Sequence, residues 1–198
     1  MRMWLKTRRV PVLAATLVAY AALTAAAGDS LVDLPSLGSE TARPLVLFAP
    51  LLACMGLTLS LSSRLPSAEA SGSRPVARYD QALVLATVLA AIAVAYAVTV
   101  LADAPLANTA GRNTAFLVGL MLCVRRVAGH EVAALAPVAW VITMMLVGDA
   151  GGGGRPHPWS VVLLSPDHLP AALTAAVALA LGTATNPAPP LLRGAEAD

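Results

Sequence analysis

Six apolar stretches, joined by short polar links, occupy most of this chain: residues 10–27, 44–61, 81–101, 112–128, 132–148 and 169–184. Roughly 20 consecutive apolar residues are enough for a helix to cross the hydrocarbon of a bilayer. Only 12% of the residues are charged, against about 25% in a typical soluble domain, and 58% are hydrophobic, with a mean hydropathy of +0.74. Too little polar surface exists to cover these stretches with water. Backbone amides in lipid must find partners within their own segment or a closed barrel, and no stretch alternates apolar and polar residues as a barrel strand does. The expected fold is all-α: a polytopic membrane protein with one transmembrane domain over 1–198 and six helices. The fourth stretch is the weakest, its apolar centre running only from Asn113 to Val124, with Thr109–Arg112 and Arg125–Gly129 as interfacial turns.

Positive charge sets the expected orientation. With the N-terminus in the cytoplasm, the inside holds Arg2, Lys6, Arg8, Arg9, Arg64, Arg74, Arg78, Arg125, Arg126 and Arg193, and the outside holds Arg43, Arg112 and Arg155. Ten against three predicts a plasma-membrane protein with both termini cytoplasmic. The basic start and Ala25-Ala26-Ala27 also have the form of a secretory signal. Its apolar run of 18 residues exceeds the roughly 7–15 of a signal core, so retention as the first span is expected. A net charge of +2, with no basic stripe interleaved with aromatics, argues against a nucleic-acid partner. Twelve arginines against one lysine, in an alanine-rich chain, reflect GC-rich coding rather than function. Two cysteines make no disulfide framework. Cys54 and Cys123 sit at similar depth, able to touch if the second and fourth spans are neighbours, although packing is the ordinary role of a buried thiol. Met121, Met144 and Met145 read as adaptable packing.

Small residues recur at helical spacing in three spans: Ala15, Ala19, Ala22 and Ala26 in the first, Ala82, Ala86, Ala90, Ala93 and Ala97 in the third, Ala172, Ala176 and Ala180 in the last. Such rows allow close helix approach, within the bundle or toward a second protomer, although an alanine-rich chain also produces them by chance. The longest link, Ser62–Asp80, is too short for a nucleotide-binding domain. Its Ser73-Arg74-Pro75 is a helix start that feeds the third span. The run Gly151–Gly154 lacks the lysine and hydroxyl of a phosphate loop and is expected to be a slack tether. After it, Trp159–Leu164 is apolar but too short to span. The expectation is a short re-entrant or interfacial piece between the fifth and sixth helices, with Trp159 at headgroup depth and Ser165 or Asp167 capping the last helix. The bland alternative is one long sixth helix broken at Pro166 and Pro170.

No ionisable residue lies near the centre of any stretch, which weighs against ion-coupled carriers. Neither His-Glu-x-x-His, Gly-x-Ser-x-Gly nor paired aspartates occur, so no enzyme activity and no cofactor or metal are expected. His157 and His168, near Asp149 and Asp167, lack ligand spacing and are expected to be solvated. Arg125, Arg126, His130 and Glu131 are expected to anchor helix ends to lipid phosphates. The polar pair Arg112-Asn113 stands at the outer mouth of the fourth span, where Asn113 either bonds across helices or caps its own.

Six spans with both ends inside, a basic start and a short apolar piece before the last span form a pattern. It resembles the membrane subunits of ABC-2-type exporters, and "GRNTAFLVGLMLCVRR" with "PWSVVLL" looks like those of GC-rich Gram-positive bacteria. The resemblance implies a permease that pairs with another membrane subunit and with a separate ATP-binding subunit. It places the contacts to that ATPase on Met1–Arg9 and on Ser62–Asp80, including Arg74, Arg78 and Asp80. The nine residues before the first span leave little room for the family's usual amphipathic interface helix. A non-transporting accessory or anchoring subunit of a membrane complex is the alternative expectation.

Overall fold

The computed structural model describes residues 10–28, 30–35, 40–62, 76–150, 155–157 and 159–185. Five helices account for most of them: α1 Val10–Ala27, α2 Ala49–Ser62, α3 Val76–Leu101, α4 Ala107–Val147 and α5 Leu169–Thr185. A single 3₁₀ turn, Leu45–Phe48, extends α2 backward. Two short antiparallel ribbons sit in the links: β1 Leu31–Pro35 with β2 Glu40–Pro44, paired from Leu31↔Pro44 to Pro35↔Glu40, and β3 Asp149–Ala150 with β4 Arg155–Pro156. Four helical segments, Val10–Ala27, Leu45–Ser62, Arg78–Leu101 and Ala107–Val147, are long and apolar enough to cross a membrane. The fifth, α5, is apolar but shorter, at 17 residues.

Helix α4 is 41 residues long but not continuous, because Gly129 has φ 84° and ψ −178° inside it. That backbone is open mainly to glycine. The chain reverses there. An unbroken helix would hold Phe116 and Trp140 about 36 Å apart at 1.5 Å per residue, whereas their ring centroids are 5.5 Å apart. The two halves of α4 therefore lie side by side as a helical hairpin. Pro137 lies within the second half.

The first half of α4 is the hub. Thr109, Ala110, Gly111 and every residue from Asn113 to Gly119 are buried, around the whole circumference of the helix. A helix that is apolar on all sides belongs inside a bundle, and this one touches α1, α2, α3, α5 and the 3₁₀ turn. Its packing is closest where glycines replace side chains. A Cβ at Gly182 would stand 2.7 Å from the Gly119 carbonyl oxygen, and one at Gly119 would strike the backbone of Ala178 and Leu179. At Gly111 a Cβ would stand 3.0 Å from Ile92 Cα, and at Gly56 it would strike Thr16 across the α1–α2 crossing. Small residues let helices meet backbone to backbone, where dispersion and weak polar contacts replace a hydrophobic drive that lipid does not supply.

The three alanine rows expected to pack helices do not do so inside this chain. Ala15, Ala19, Ala22 and Ala26 are exposed, as are Ala82, Ala86, Ala93, Ala97, Ala172, Ala176 and Ala180. The inward faces are Leu13, Tyr20 and Thr24 on α1, Val84, Val88, Ala91 and Ala95 on α3, and Ala171, Ala175 and Gly182 on α5. Alanine spacing alone did not identify them, because in an alanine-rich helix several faces carry the same period. Beside the outward rows run larger apolar side chains, Leu85, Leu89, Ile92 and Tyr96 on α3 and Leu169, Leu173, Val177 and Leu181 on α5. Such a belt suits contact with lipid tails.

Hydroxyls inside the helices are satisfied locally. Every described helical threonine donates to a carbonyl three or four residues back in its own turn, from Thr16 on Leu13 and Thr24 on Tyr20 to Thr185 on Leu181. This arrangement leaves no hydroxyl proton unpaired in an apolar surrounding. The one tyrosine in α1, Tyr20, is fully buried and donates to the Ala91 carbonyl of α3 at 3.1 Å.

Helix α3 begins at Val76, directly after the Ser73-Arg74-Pro75 expected to start a helix, and runs on into the span expected from residue 81, whereas α4 begins at Ala107 rather than at 112. At α4 polar residues were set outside the span although a helix carries them readily. Cys54 is buried and Cys123 partly so, and both are free, even though α2 and α4 are neighbours through Thr58 Oγ1 and Met121 Sδ at 3.1 Å.

Gly182→Val is expected to cost at least about 1–3 kcal/mol through overpacking against the α4 backbone. Ala176→Val on the outer face should cost far less. Thermal unfolding of the two variants in one detergent, followed by size-exclusion chromatography, checks the difference.

Candidate functional site

The polar groups of the fold gather at its two ends. One end carries Arg112, Gly28, Pro44, residues 102–106 and residues 159–168, since Gly28 lies against Ala104 and Pro44 lines one cavity with Leu106 and Val162. The other carries Gly129, where Gln81 Nε2 donates to the Thr183 carbonyl at 3.0 Å and Arg125 Nη2 donates to the Leu61 carbonyl at 3.3 Å.

At the Arg112 end, residues 159–165 form a chain of tight turns, not a span and not part of a long sixth helix. The backbone N–H of Ser160 donates to His157, and that of Leu163 to Ser160. Prolines explain why the turns stop: Pro166 has no N–H and disfavours helix in the residue before it. Helix α5 starts afresh at Leu169. Its cap is His168, whose Nδ1 accepts from the Ala171 N–H at 3.2 Å, rather than the expected Ser165 or Asp167. Val161, Val162 and Leu164 from these turns are buried in the main core with Leu117, Val141 and Met144. The turn segment thus plugs the Arg112 end of the bundle.

Arg112 and Asn113 hold the plug. Asn113 is fully buried, and its Nδ2 donates to the Val162 carbonyl at 3.0 Å. Arg112 Nη1 donates to Ser165 at 2.6 Å, and Nη2 donates to Leu164 at 2.6 Å and Val161 at 3.1 Å. The Arg112 Nε and Nη2 each stand 3.3 Å from Asn113 Oδ1, which accepts from them and so fixes the amide's orientation. Five donors in a rigid fork suit a cluster of carbonyls better than an ammonium would. The guanidinium charge also faces the carbonyl end of the turn, the favourable position for a cation. Asn113 therefore bonds across elements instead of capping its own helix.

Beside the clasp lies a cavity of about 70 Å³ lined by Pro44, Leu47, Leu106, Thr109, Val162–Leu164, Ser165 and Pro166. At ~30 Å³ per water it holds about two waters, far below a drug-sized ligand pocket of about 300 Å³ or more. Trp159 is 45% exposed and stacks on His157 with ring centroids 5.5 Å apart. The indole is thus exposed at the end of the bundle.

The residues expected to meet a partner are placed unevenly. Arg74 lies outside the described residues, as do Met1–Arg9 and the Gly151–Gly154 run. Arg78 is exposed near the start of α3. Asp80 is fully buried, so within this fold it belongs to the interior and not to a contact surface. Among the described residues no group of three or more His, Cys, Asp or Glu is placed to hold a metal ion. The sequence pointed to Arg112-Asn113 and to residues 159–164 separately, and only the fold joins them. A signal that could have linked them is the coincidence of an orphan polar pair with a short apolar segment, both at one side of the expected bilayer.

No family model, no curated protein and no solved structure matches this chain.

Replacing Asn113 by Ala leaves the buried Val162 carbonyl unpaired, at an expected cost of about 1–3 kcal/mol. Arg112→Gln should loosen the whole plug. In a Leu163→Cys background, its thiol-labelling rate is expected to rise at least tenfold with Arg112→Gln and to stay unchanged with the exposed-face control Ala176→Ser.

Proposed function

We propose that this chain is a permease-type membrane subunit that crosses the bilayer six times and works with a separate ATP-hydrolysing subunit. In this reading it exports an amphipathic or small hydrophobic substrate and pairs with a second membrane subunit, like or unlike itself. The observation that carries it is the clasped plug between the second half of α4 and α5. It is a short, non-spanning piece before the last helix, where the ABC-2-type pattern has one. The crossing count follows from dividing α4 at Gly129: the halves, 107–128 and 130–147, measure about 33 Å and 27 Å at 1.5 Å per residue, each near the ~30 Å of the hydrocarbon. Helix α5, at 17 residues, makes the sixth crossing at the lower limit of about 17.

The basic Gly129 end then faces the cytosol and the Arg112 end faces outward, with the cell membrane as the location. The hub helix is ringed by neighbours and the cavity beside the plug is small, so a substrate path runs between subunits rather than through this chain. The outward alanine rows are then the surface available to the second membrane subunit.

A second reading, a non-transporting subunit that anchors or stabilises a membrane complex, is favoured by that same close-packed interior. The two diverge in experiment. For a permease, Arg74→Glu with Arg78→Glu should lower ATP-dependent efflux and recovery of an ATPase in mild detergent about tenfold, at unchanged Tm. For an anchor, the charge reversals leave flux untouched, while bulking Ala82, Ala86 and Ala93 to Leu abolishes assembly.

Topology is tested separately with cysteines introduced at 70, 159 and 196. In intact cells an impermeant thiol reagent should modify position 159 alone. Labelling at 70 or 196 would contradict six crossings with cytoplasmic ends.

A further inference from the structure

Helix α4 turns back on itself at Gly129, and its two halves are held very differently. The first half is buried on all sides. Just ahead of the turn it is tied to α2 by Arg125, whose Nη2 donates to the Leu61 carbonyl at 3.3 Å. The second half packs through one narrow face, Ala133, Pro137, Val141 and Met144, while Val132, Leu135, Ile142 and Leu146 on its other sides are exposed. Two weak points lie along it. Pro137 brings no N–H to the Ala133 carbonyl one turn back in the helix. Trp140 packs on Phe116 with ring centroids 5.5 Å apart, yet its indole Nε1 is enclosed and has no acceptor. A donor shut away from water without a partner is costly, and a native fold keeps few of them. Where this half begins, Gly129 has φ 84° and nothing within 4 Å of where a Cβ would stand. Where it ends, the Gly148 carbonyl accepts from the His157 N–H at 2.9 Å, and Gly148 lies against Leu163. Those turns are the ones that Arg112 and Asn113 clasp to the first half.

We propose that residues 130–147 form a swinging arm, hinged at Gly129 and latched at the far end through the clasped turns, whose opening gives the Trp140 N–H the acceptor it lacks when the arm is closed. Hinges are a few element-terminal residues that absorb a large backbone change, and Gly129 can do so without a side chain in the way. A half held by one face and interrupted by a proline has few contacts to remake when it moves. Releasing the latch uncovers the Phe116 side of the hub, where water or a polar group entering between the halves meets the indole. The arm does not depend on what, if anything, the chain transports.

The test uses the full-length chain in nanodiscs, with Cys54→Ala and Cys123→Ala to remove the native thiols and spin labels on Ile142→Cys and Ala176→Cys, both exposed positions. Pulsed electron–electron distances are expected to show a second population that Arg112→Gln enlarges at least threefold. Trp140→Phe keeps a ring on Phe116 and removes the unmatched donor, so it should shrink that population by a similar factor and raise Tm by a few degrees. A second distance seen only with Arg112→Gln is the same arm freed of its latch, and supports the proposal. A single distance that Arg112→Gln leaves unchanged overturns it. So does a rise in Leu163→Cys labelling with no change of distance, because then the plug moves and the arm does not. A Trp140→Phe chain whose distances and Tm match the parent, or whose Tm falls, overturns the part given to the indole and the proposal with it.

Discussion

Backbone carbonyls that leave a helix inside an apolar bundle need donors from somewhere, and at the Arg112 end the donors are two adjacent side chains. Arg112 and Asn113 between them meet the carbonyls of Val161, Val162, Leu164 and Ser165. Without them, the turn of 159–165 would carry unpaired polar groups next to Leu117 and Met144, at a cost of about 1–3 kcal/mol each. The clasp is what allows a proline-bounded, non-helical segment to sit in an apolar core. Everything that depends on that plug depends on one guanidinium and one amide: the closed end of the bundle, the entry angle of α5 and the exposed Trp159.

The remainder of the fold obeys the same accounting with different means. Threonines return their hydroxyls to their own turns, and Tyr20 reaches across to Ala91. With polar demands met locally, helix association falls to surface fit, and the fit is decided at Gly56, Gly111, Gly119 and Gly182. These positions bring backbones close around the first half of α4. The hub helix has almost no outward face left, so it cannot be the surface by which the protein meets another. The outer faces of α1, α3 and α5 stay exposed and combine small and large apolar residues.

Function follows from where charge is and where it is not. The described hub carries its charged groups at its two ends, Arg112 at one and Arg125 with Arg126 at the other, and the interior between them is apolar, glycine, amide or hydroxyl. Among the described residues of this helix half, none between Arg112 and Arg125 is ionisable except the thiol of Cys123.

By itself the sequence determined the helical class and the presence of apolar helices long enough to cross a membrane, because hydrocarbon length and backbone hydrogen bonding leave few choices for apolar stretches of this size. It also located Gly129 within an interfacial turn and marked Arg112-Asn113 and Trp159–Leu164 as places of interest. It could not say that the clasp and the plug meet, since they are about 50 residues apart and their bond is a matter of three-dimensional proximity. Nor could it choose helix faces: alanine recurs with the same period on several sides, and only steric contact with a neighbour picks Ala171, Ala175 and Gly182 over Ala172, Ala176 and Ala180. The burial of Asp80, likewise, is decided by the company that α3 keeps in the bundle and not by its place in a polar link. Periodicity is a property of one helix, whereas a packed face is a property of two.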